Sequence, residues 1–390
     1  MSERAYAPVG DTVAEPVQES RWQHDVVTHV ATVEARLGAE LDALQRAWQQ
    51  AADGVGDRAS VGAADVFAAE LDPPAQLSDL VRRGGKRTRP VMALLGWQAA
   101  DVDGTGQGYD DTVQAGVAIE LLHCFALVHD DVMDESPMRR GRPTVHADAA
   151  RRHGEQDGRG DAARFGDSVA ILVGDLAQSE AERLAGALPE PMRTVWRHMV
   201  LELLAGQVRD VVGSAAGDRR LAFARQVARQ KTGYYSVARP LQLGAAAAGA
   251  GELALSALEQ YGRHAGEAFA LRDDLLGVYG DPDTTGKPAG DDIRSGKPTV
   301  LLAVARASLR GHPAAALEAA GTTGMTDAQV ALVRDAMLHE GVVSRVEAMI
   351  DDRAADAVAA LQAGTDAGVL TIDGAAHLTR TVDQLARRGN

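Results

Sequence analysis

Cysteine is nearly absent: Cys124 is the single one in 390 residues, so no disulfide framework can form within the chain. Its apolar neighbours mark it as a small buried hydrophobe, and a reducing, cytoplasmic setting is expected. Aromatic residues make up only 4 %, while alanine is abundant, which favours closely packed helices over strands. No uninterrupted apolar run reaches about 18 residues, so no transmembrane helix is expected. The opening Met1–Arg4 leads into no apolar core, which speaks against a signal peptide and for a soluble protein. Basic residues are outnumbered 40 to 55, and the net charge of −15 argues against a nucleic-acid partner. An anionic substrate remains compatible with that balance, because the basic residues gather in local clusters.

What the chain does have is apolar residues, 45 % of the total, enough for a sizeable core. Residues 1–22 mix proline, glycine and charge without a period and read as a mobile, disordered tail. From there to 390 a single all-α bundle domain is expected. Val30, Val33, Leu37, Leu41, Leu44 and Trp48 recur at three- and four-residue spacing, an amphipathic first helix. Further helices are read at about 91–100, 112–134, 168–186, 192–212, 221–249 with a bend near Pro240, 252–278 and 299–310, with more beyond 326. The stretch 281–298, dense in Gly, Pro, Lys and Asp, reads as a lid.

The chemistry concentrates in Asp130-Asp131-Val132-Met133-Asp134, at the end of an apolar run from Glu120 to His129. On a helix Asp130 and Asp134 lie one turn apart on one face, where like charges repel and call for counter-charge. Hard oxygen ligands of this kind suit Mg²⁺, which bridges readily to phosphates. A solvated acidic helix end is the plainer reading of any isolated pair, and Asp110-Asp111 and Asp351-Asp352 are assigned nothing. A second such element raises the case. Asp273-Asp274 closes the run Glu267–Arg272 and is followed by Gly286-Lys287-Pro288 and Gly296-Lys297-Pro298. Two acidic helix ends facing one another across a cavity would hold a metal–diphosphate cluster.

With these pieces in order, the sequence resembles the trans-isoprenyl diphosphate synthases, the polyprenyl synthetase family. The resemblance rests on Gly84-Gly85-Lys86-Arg87-Thr88-Arg89-Pro90, the stretch His129–His146, Gly174-Asp175, Lys231-Thr232-Gly233 and Phe269–Lys297. It implies an all-α isoprenoid-synthase bundle with a central cavity, in a homodimer. It also implies head-to-tail 1′-4 condensation of isopentenyl diphosphate with an allylic diphosphate. By that resemblance Asp130 and Asp134 bind two Mg²⁺ ions and Asp273 a third, supported by Asp131 and Asp274. Arg139, Lys231, Thr232 and Lys287 would meet the allylic diphosphate. Lys86, Arg89, His123 and Arg140 would hold isopentenyl diphosphate. On an ideal wheel His123 lies about 20° from Asp130 and so faces the same cavity. Phe125 beside the small Ala126 looks like the chain-length pattern of a geranylgeranyl (C20) synthase, although an ideal wheel turns Phe125 about 140° from Asp130.

Two positions depart from the family pattern. Gly277 stands where the second acidic motif usually has a third Asp, for which Asp281 is a candidate substitute. Ala270 stands where a Gln is common. The alternatives are a farnesyl or longer-chain synthase, a class I terpene cyclase, and a non-catalytic synthase subunit. A cyclase would leave Lys86, Arg89 and Arg140 without a purpose, and a non-catalytic subunit should have lost one acidic motif.

Overall fold

The computed structural model describes residues 15–53, 71–280, 290–322 and 324–387. Its helices, in chain order, begin with α1 (Glu15–Asp53), α2 (Pro73–Arg82), α3 (Thr88–Ala100) and α4 (Tyr109–Met133). A short ribbon of β1 (Met138–Arg139) and β2 (Arg142–Pro143) leads to α5 (Val145–Glu155), α6 (Ala162–Gly186), α7 (Glu190–Ala216) and α8 (Leu221–Val227). A π-helical segment, Ala228–Ala238, continues into α9 (Arg239–Ala247), followed by α10 (Glu252–Tyr279) and α11 (Asp291–Arg294). The chain closes with α12 (Val300–Ser308), α13 (Gly311–Glu318), α14 (Asp327–His339), α15 (Val342–Asp366) and α16 (Ile372–Ala386).

The sequence places α4 at the centre because it is apolar all round, a pattern that only a fully surrounded helix can satisfy. Val113, Val117, Ile119, Leu121 and Leu122 are all buried, packed among residues of α1, α2, α6 and α7. By length and composition α4 could cross a membrane, but 72 % of that stretch is covered by protein, as befits a core helix. A second cluster forms around α10, with α12 and the first half of α15. A third joins α3, α9, α10 and α16. Each fully buried Leu or Ile stabilises these clusters by roughly 1.5–3 kcal/mol. Helix starts follow local chemistry: Pro73 opens α2 after Asp72, whose side chain accepts from Ala75 N, and Thr326 and Gln329 form a capping box on α14.

Several expectations are corrected. Residues 15–22 of the expected tail are helical, the first turns of α1, while 1–14 lie outside the described residues. The ribbon and α5 were not expected. The ribbon turns through Arg140 (φ 51°) and Gly141 (φ 70°), the left-handed pair that suits a two-residue hairpin. Where a bend near Pro240 was expected, the π segment ends at Ala238, and Pro240 sits in the first turn of α9. Half of the expected lid is anchored: Ile293 is fully buried, Gly321 N donates to Arg294 O, and Arg294 Nη1 donates to Met325 O. Residues 281–289, with Asp281 and Lys287, lie outside the described residues.

Candidate active site

Asp130 and Asp131 occupy the last turn of α4 and Asp134 is its C-cap. A helix C-terminus already presents partly negative carbonyls, so three carboxylates there demand cations. The ribbon supplies the first. Arg139 donates through Nε to both oxygens of Asp131, at 2.8 and 2.9 Å, and its Nη2 lies 3.6 Å from Asp130. Asp131 is therefore committed to holding Arg139 in place, while Asp130 faces the cavity.

The π segment supplies the second cation. A β-carbon at Gly206 of α7 would stand 2.5 Å from Lys231 N, so glycine lets the two backbones meet. That approach brings Lys231 Nζ to 2.8 Å from Asp130 Oδ1 and 2.5 Å from Asp210 Oδ2. Gln207 Nε2 also donates to Asp130 Oδ1, at 3.1 Å. π-Helical segments within α-helices recur at functional sites. Burial opposes the charge of Asp130, but the ammoniums of Lys231 and Lys297 outweigh it and hold the carboxyl far below its usual range.

Across the cavity stands α10. Its acidic pair lies inside the helix rather than at its end, since α10 continues to Tyr279. Asp273 and Asp274 both border the cavity. Asp274 Oδ2 accepts from Val300 N at 3.0 Å, tying α10 to the first residue of α12. Burial, then the neighbouring carboxylate of Asp292, pushes the Asp274 carboxyl well above its ordinary value. Lys297, just before α12, reaches 2.5 Å from Asp134 Oδ2 and so joins the two acidic elements.

A further group of polar side chains lines the same cavity. Gly84 (φ 73°) turns the chain after α2, and Arg140 Nη1 donates to Gly84 O at 2.5 Å. Lys86 borders the same space, with Arg140. Arg89 Nη2 donates to Ser236 Oγ at 2.9 Å, and its guanidinium lies 4.5 Å from the centre of the Tyr235 ring. Arg87 turns away to Glu120 (2.7 Å) and Glu34 (3.1 Å) and is a bracing residue. His123 also borders the cavity. Burial, then the guanidiniums of Arg89, Arg139 and Arg140, lowers its pKa far below the ordinary value, so the ring is neutral. Its Nδ1 and Arg89 Nε are buried without a hydrogen-bond partner among the described residues, which suits an incoming polar ligand. The whole cavity measures about 1050 Å³.

The family model for polyprenyl synthetases matches residues 74–337, a span that contains every cavity-lining residue named so far. The chain belongs to the polyprenyl synthetase family. It is 34 % identical over 232 residues to the geranylfarnesyl diphosphate synthase of Aeropyrum pernix, covering 57 % of this chain and 67 % of that protein. It is 34 % identical over 260 residues to a (2E,6E)-farnesyl diphosphate synthase of Mycobacterium tuberculosis, covering 64 % and 66 %. These matches span about two thirds of each relative's length. The crystal structure of a geranylgeranyl pyrophosphate synthase from Corynebacterium glutamicum, complexed with isoprenyl diphosphate and magnesium, superposes with a TM-score of 0.78 at 33 % identity. That similarity covers 91 % of this chain and 98 % of the other. The all-α prenyltransferase fold expected from the sequence is therefore the fold of this chain.

In this polyprenyl synthetase the stripe of α4 that meets the cavity carries Glu120, His123, Cys124, Leu127 and Asp130. Phe125 and Ala126 fall off that stripe. The Phe125 ring packs edge-on against His129, with centroids 4.7 Å apart, and Phe125 belongs to the core cluster. Phe125 does not itself border the cavity, because the regular helix turns it aside from Asp130. Thr232 borders the cavity. Sequence reading missed Gln207, Asp210 and Asp292, and gave Lys297 no role. Gln207 and Asp210, three residues apart on α7, share a face, which was the available signal.

The donor set fits magnesium in kind: the carboxylates of Asp130, Asp134 and Asp273 are hard oxygen ligands on two opposed elements. Among the described residues no three acidic or imidazole side chains stand close enough to hold an ion as they are placed. The ammoniums of Lys231 and Lys297 lie against the carboxylates instead, where a cation would be needed.

Proposed function

We propose that the protein is a trans-prenyltransferase that condenses isopentenyl diphosphate with an allylic diphosphate, head to tail. One observation carries the reading: a single cavity is lined both by carboxylates and the lysines paired with them and by a further group of cations, Lys86, Arg89 and Arg140. Two anionic diphosphates need two such groups, and only one of them needs metal.

Asp130, Asp134 and Asp273 would hold Mg²⁺, in a proposed count of three ions per site. Bound magnesium would supply positive charge to the leaving diphosphate as the allylic C–O bond breaks. The protein's own residues do the rest. Arg139, fixed by Asp131, and Lys231, released from Asp130, would neutralise the same diphosphate, with Thr232 beside them. Lys287 is kept in this group on the family pattern alone. Lys86, Arg89 and Arg140 would hold isopentenyl diphosphate so that its double bond faces the allylic carbon, and His123, neutral, would offer a hydrogen bond rather than charge. The departing diphosphate would take the proton lost after the new bond forms.

Geranylgeranyl diphosphate (C20) is the proposed product, supported by the sequence pattern at 125–126 and the similarity to the Corynebacterium glutamicum enzyme. The displacement of Phe125 from the cavity wall favours a second reading, a synthase of other chain length, and the relatives named above make farnesyl and geranylfarnesyl products. A homodimer in the cytoplasm is proposed with this function. Exposed apolar residues on α6 and α7 support the dimer, among them Leu172 (62 %) and Val208 (62 %). Turnover that persists unchanged in a strong chelator would end the metal-dependent reading; abolition reversed by Mg²⁺ supports it.

A further inference from the structure

Between α7 and α8 the chain turns through Gly217, Asp218, Arg219 and Arg220. Asp218 and Arg220 pair with each other, and the Arg220 side chain is 75 % exposed. Arg219 is instead buried, at 8 % exposure, and its Nη1 donates to Gly296 O at 2.7 Å. Among the described residues no carboxylate lies within ion-pair distance of its guanidinium. Burial, only partly offset by the more distant Glu318, lowers its pKa from the ordinary arginine value.

A buried guanidinium held by one backbone carbonyl is a poor stabiliser, because no opposite charge offsets its desolvation. What it does hold is the residue just before Lys297. Gly296 (φ 67°) has no room for a β-carbon, which would lie 2.7 Å from Gly321 N. Lys297 N donates to Asp292 O at 3.1 Å. On the other flank Pro298 packs on Gly213 of α7, where a β-carbon would meet its Cγ at 3.0 Å. The backbone of Lys297 is thus fixed on both sides, and its Nζ reaches Asp134. Asp210, on α7 itself, pairs with Lys231. One helix and the turn after it therefore place both lysines of the acidic site.

We propose that Arg219 is a positioning residue: by clamping the carbonyl of Gly296 it sets where the Lys297 ammonium stands against the acidic end of α4 and the diphosphate bound there. The proposal rests on the prenyltransferase reading. Arg219 does not border the cavity, so it acts only through Lys297. Without the clamp the turn is free to shift, and a displaced ammonium stabilises the charge on a leaving diphosphate less.

The test is steady-state kinetics of the full chain with isopentenyl diphosphate, geranyl diphosphate and Mg²⁺, beside thermal unfolding. Arg219→Met should lower kcat by roughly ten- to hundredfold. The KM for isopentenyl diphosphate should stay within about twofold, since that substrate meets other cations. The melting temperature should change little, because the variant removes a buried charge together with its hydrogen bond. In a Lys297→Met background, Arg219→Met should have little further effect, the lysine it positions being gone. Arg220→Gln, on the exposed side of the same turn, should keep the unaltered kcat. Should Arg219→Met fail to fold, Arg219→Gln is read in the same cycle. An unaltered kcat in the folded variant, or an equal fold-loss with and without Lys297, would overturn the proposal while leaving the prenyltransferase reading intact. No condensation by the unaltered chain would overturn both.

Discussion

Lys297 Nζ lies 2.5 Å from Asp134 Oδ2, joining the entry of α12 to the end of α4 across 163 residues. Both side chains are largely covered, at 14 % and 17 % exposure. Burial works against the lysine's charge, and the carboxylates of Asp292, Asp130 and Asp134 overcome it, so its pKa rises above the ordinary value. Removing one partner of such a pair leaves the other charge buried and uncompensated. Lys297→Met should therefore destabilise the metal-free protein by about 3 kcal/mol. Mg²⁺ with pyrophosphate should restore much of the loss, since the carboxylates regain a cation. Urea unfolding in chelator and in Mg²⁺ measures both; equal losses in the two conditions would contradict the account.

The two groups of cations should separate kinetically. Lys86→Ala and Arg89→Ala are expected to raise the apparent KM for isopentenyl diphosphate more than that for the allylic substrate. Lys231→Ala should do the reverse and lower kcat as well, since its proposed partner is the leaving group. Steady-state kinetics with each substrate varied in turn checks this. Equal effects of all three variants on both substrates would dissolve the two-site map.

The carboxylates were legible because their signal is local. Asp130 and Asp134 stand one helical turn apart and Asp273 beside Asp274, each group following an apolar run, and the central helix was read from the first of those runs. Asp210 and Asp292 were not legible, because their meaning depends on what faces them. Asp210 is an ordinary helix carboxylate until Gly206 admits Lys231, and Asp292 is one of two adjacent aspartates until Gly277 leaves it space. The lid was over-read for a similar reason: a polar composition hid Ile293, a single apolar anchor. Phe125 shows the opposite case. The wheel angle already turned it from Asp130, and the regular α4 follows the wheel.

Acid stability should register the link between α1 and α4. His29 is fully buried, with Nδ1 3.3 Å from the Tyr109 hydroxyl. Burial, opposed by a backbone hydrogen bond at Pro90, lowers its pKa from 6.5 to about 4. The folded state therefore binds fewer protons than the unfolded one between these values. The stabilisation is fully present above pH 6.5 and is lost as pH falls toward about 4, at up to ~1.4 kcal/mol per pH unit. His29→Gln, compared with the unaltered chain by urea unfolding at pH 7 and pH 5, should lose less stability on acidification. Parallel losses would show that His29 does not titrate on unfolding.

Chain length tests the position of Phe125. Phe125→Ala removes a ring packed on His129 just behind the cavity-lining Cys124, so it should open space for the prenyl tail and shift the main product beyond C20 while condensation continues. Chromatography of the dephosphorylated products reads the shift. An unchanged distribution from an active variant would reduce the ring to core packing.

The central claim is tested most directly by product formation. The purified protein is incubated with isopentenyl diphosphate, Mg²⁺ and, separately, dimethylallyl, geranyl or farnesyl diphosphate, and the dephosphorylated products are chromatographed. The account predicts consumption of isopentenyl diphosphate and a linear C20 alcohol as the main product, with both lost in chelator or in Asp130→Ala. No elongated product from any primer in Mg²⁺, or a cyclic hydrocarbon formed without consuming isopentenyl diphosphate, would contradict it.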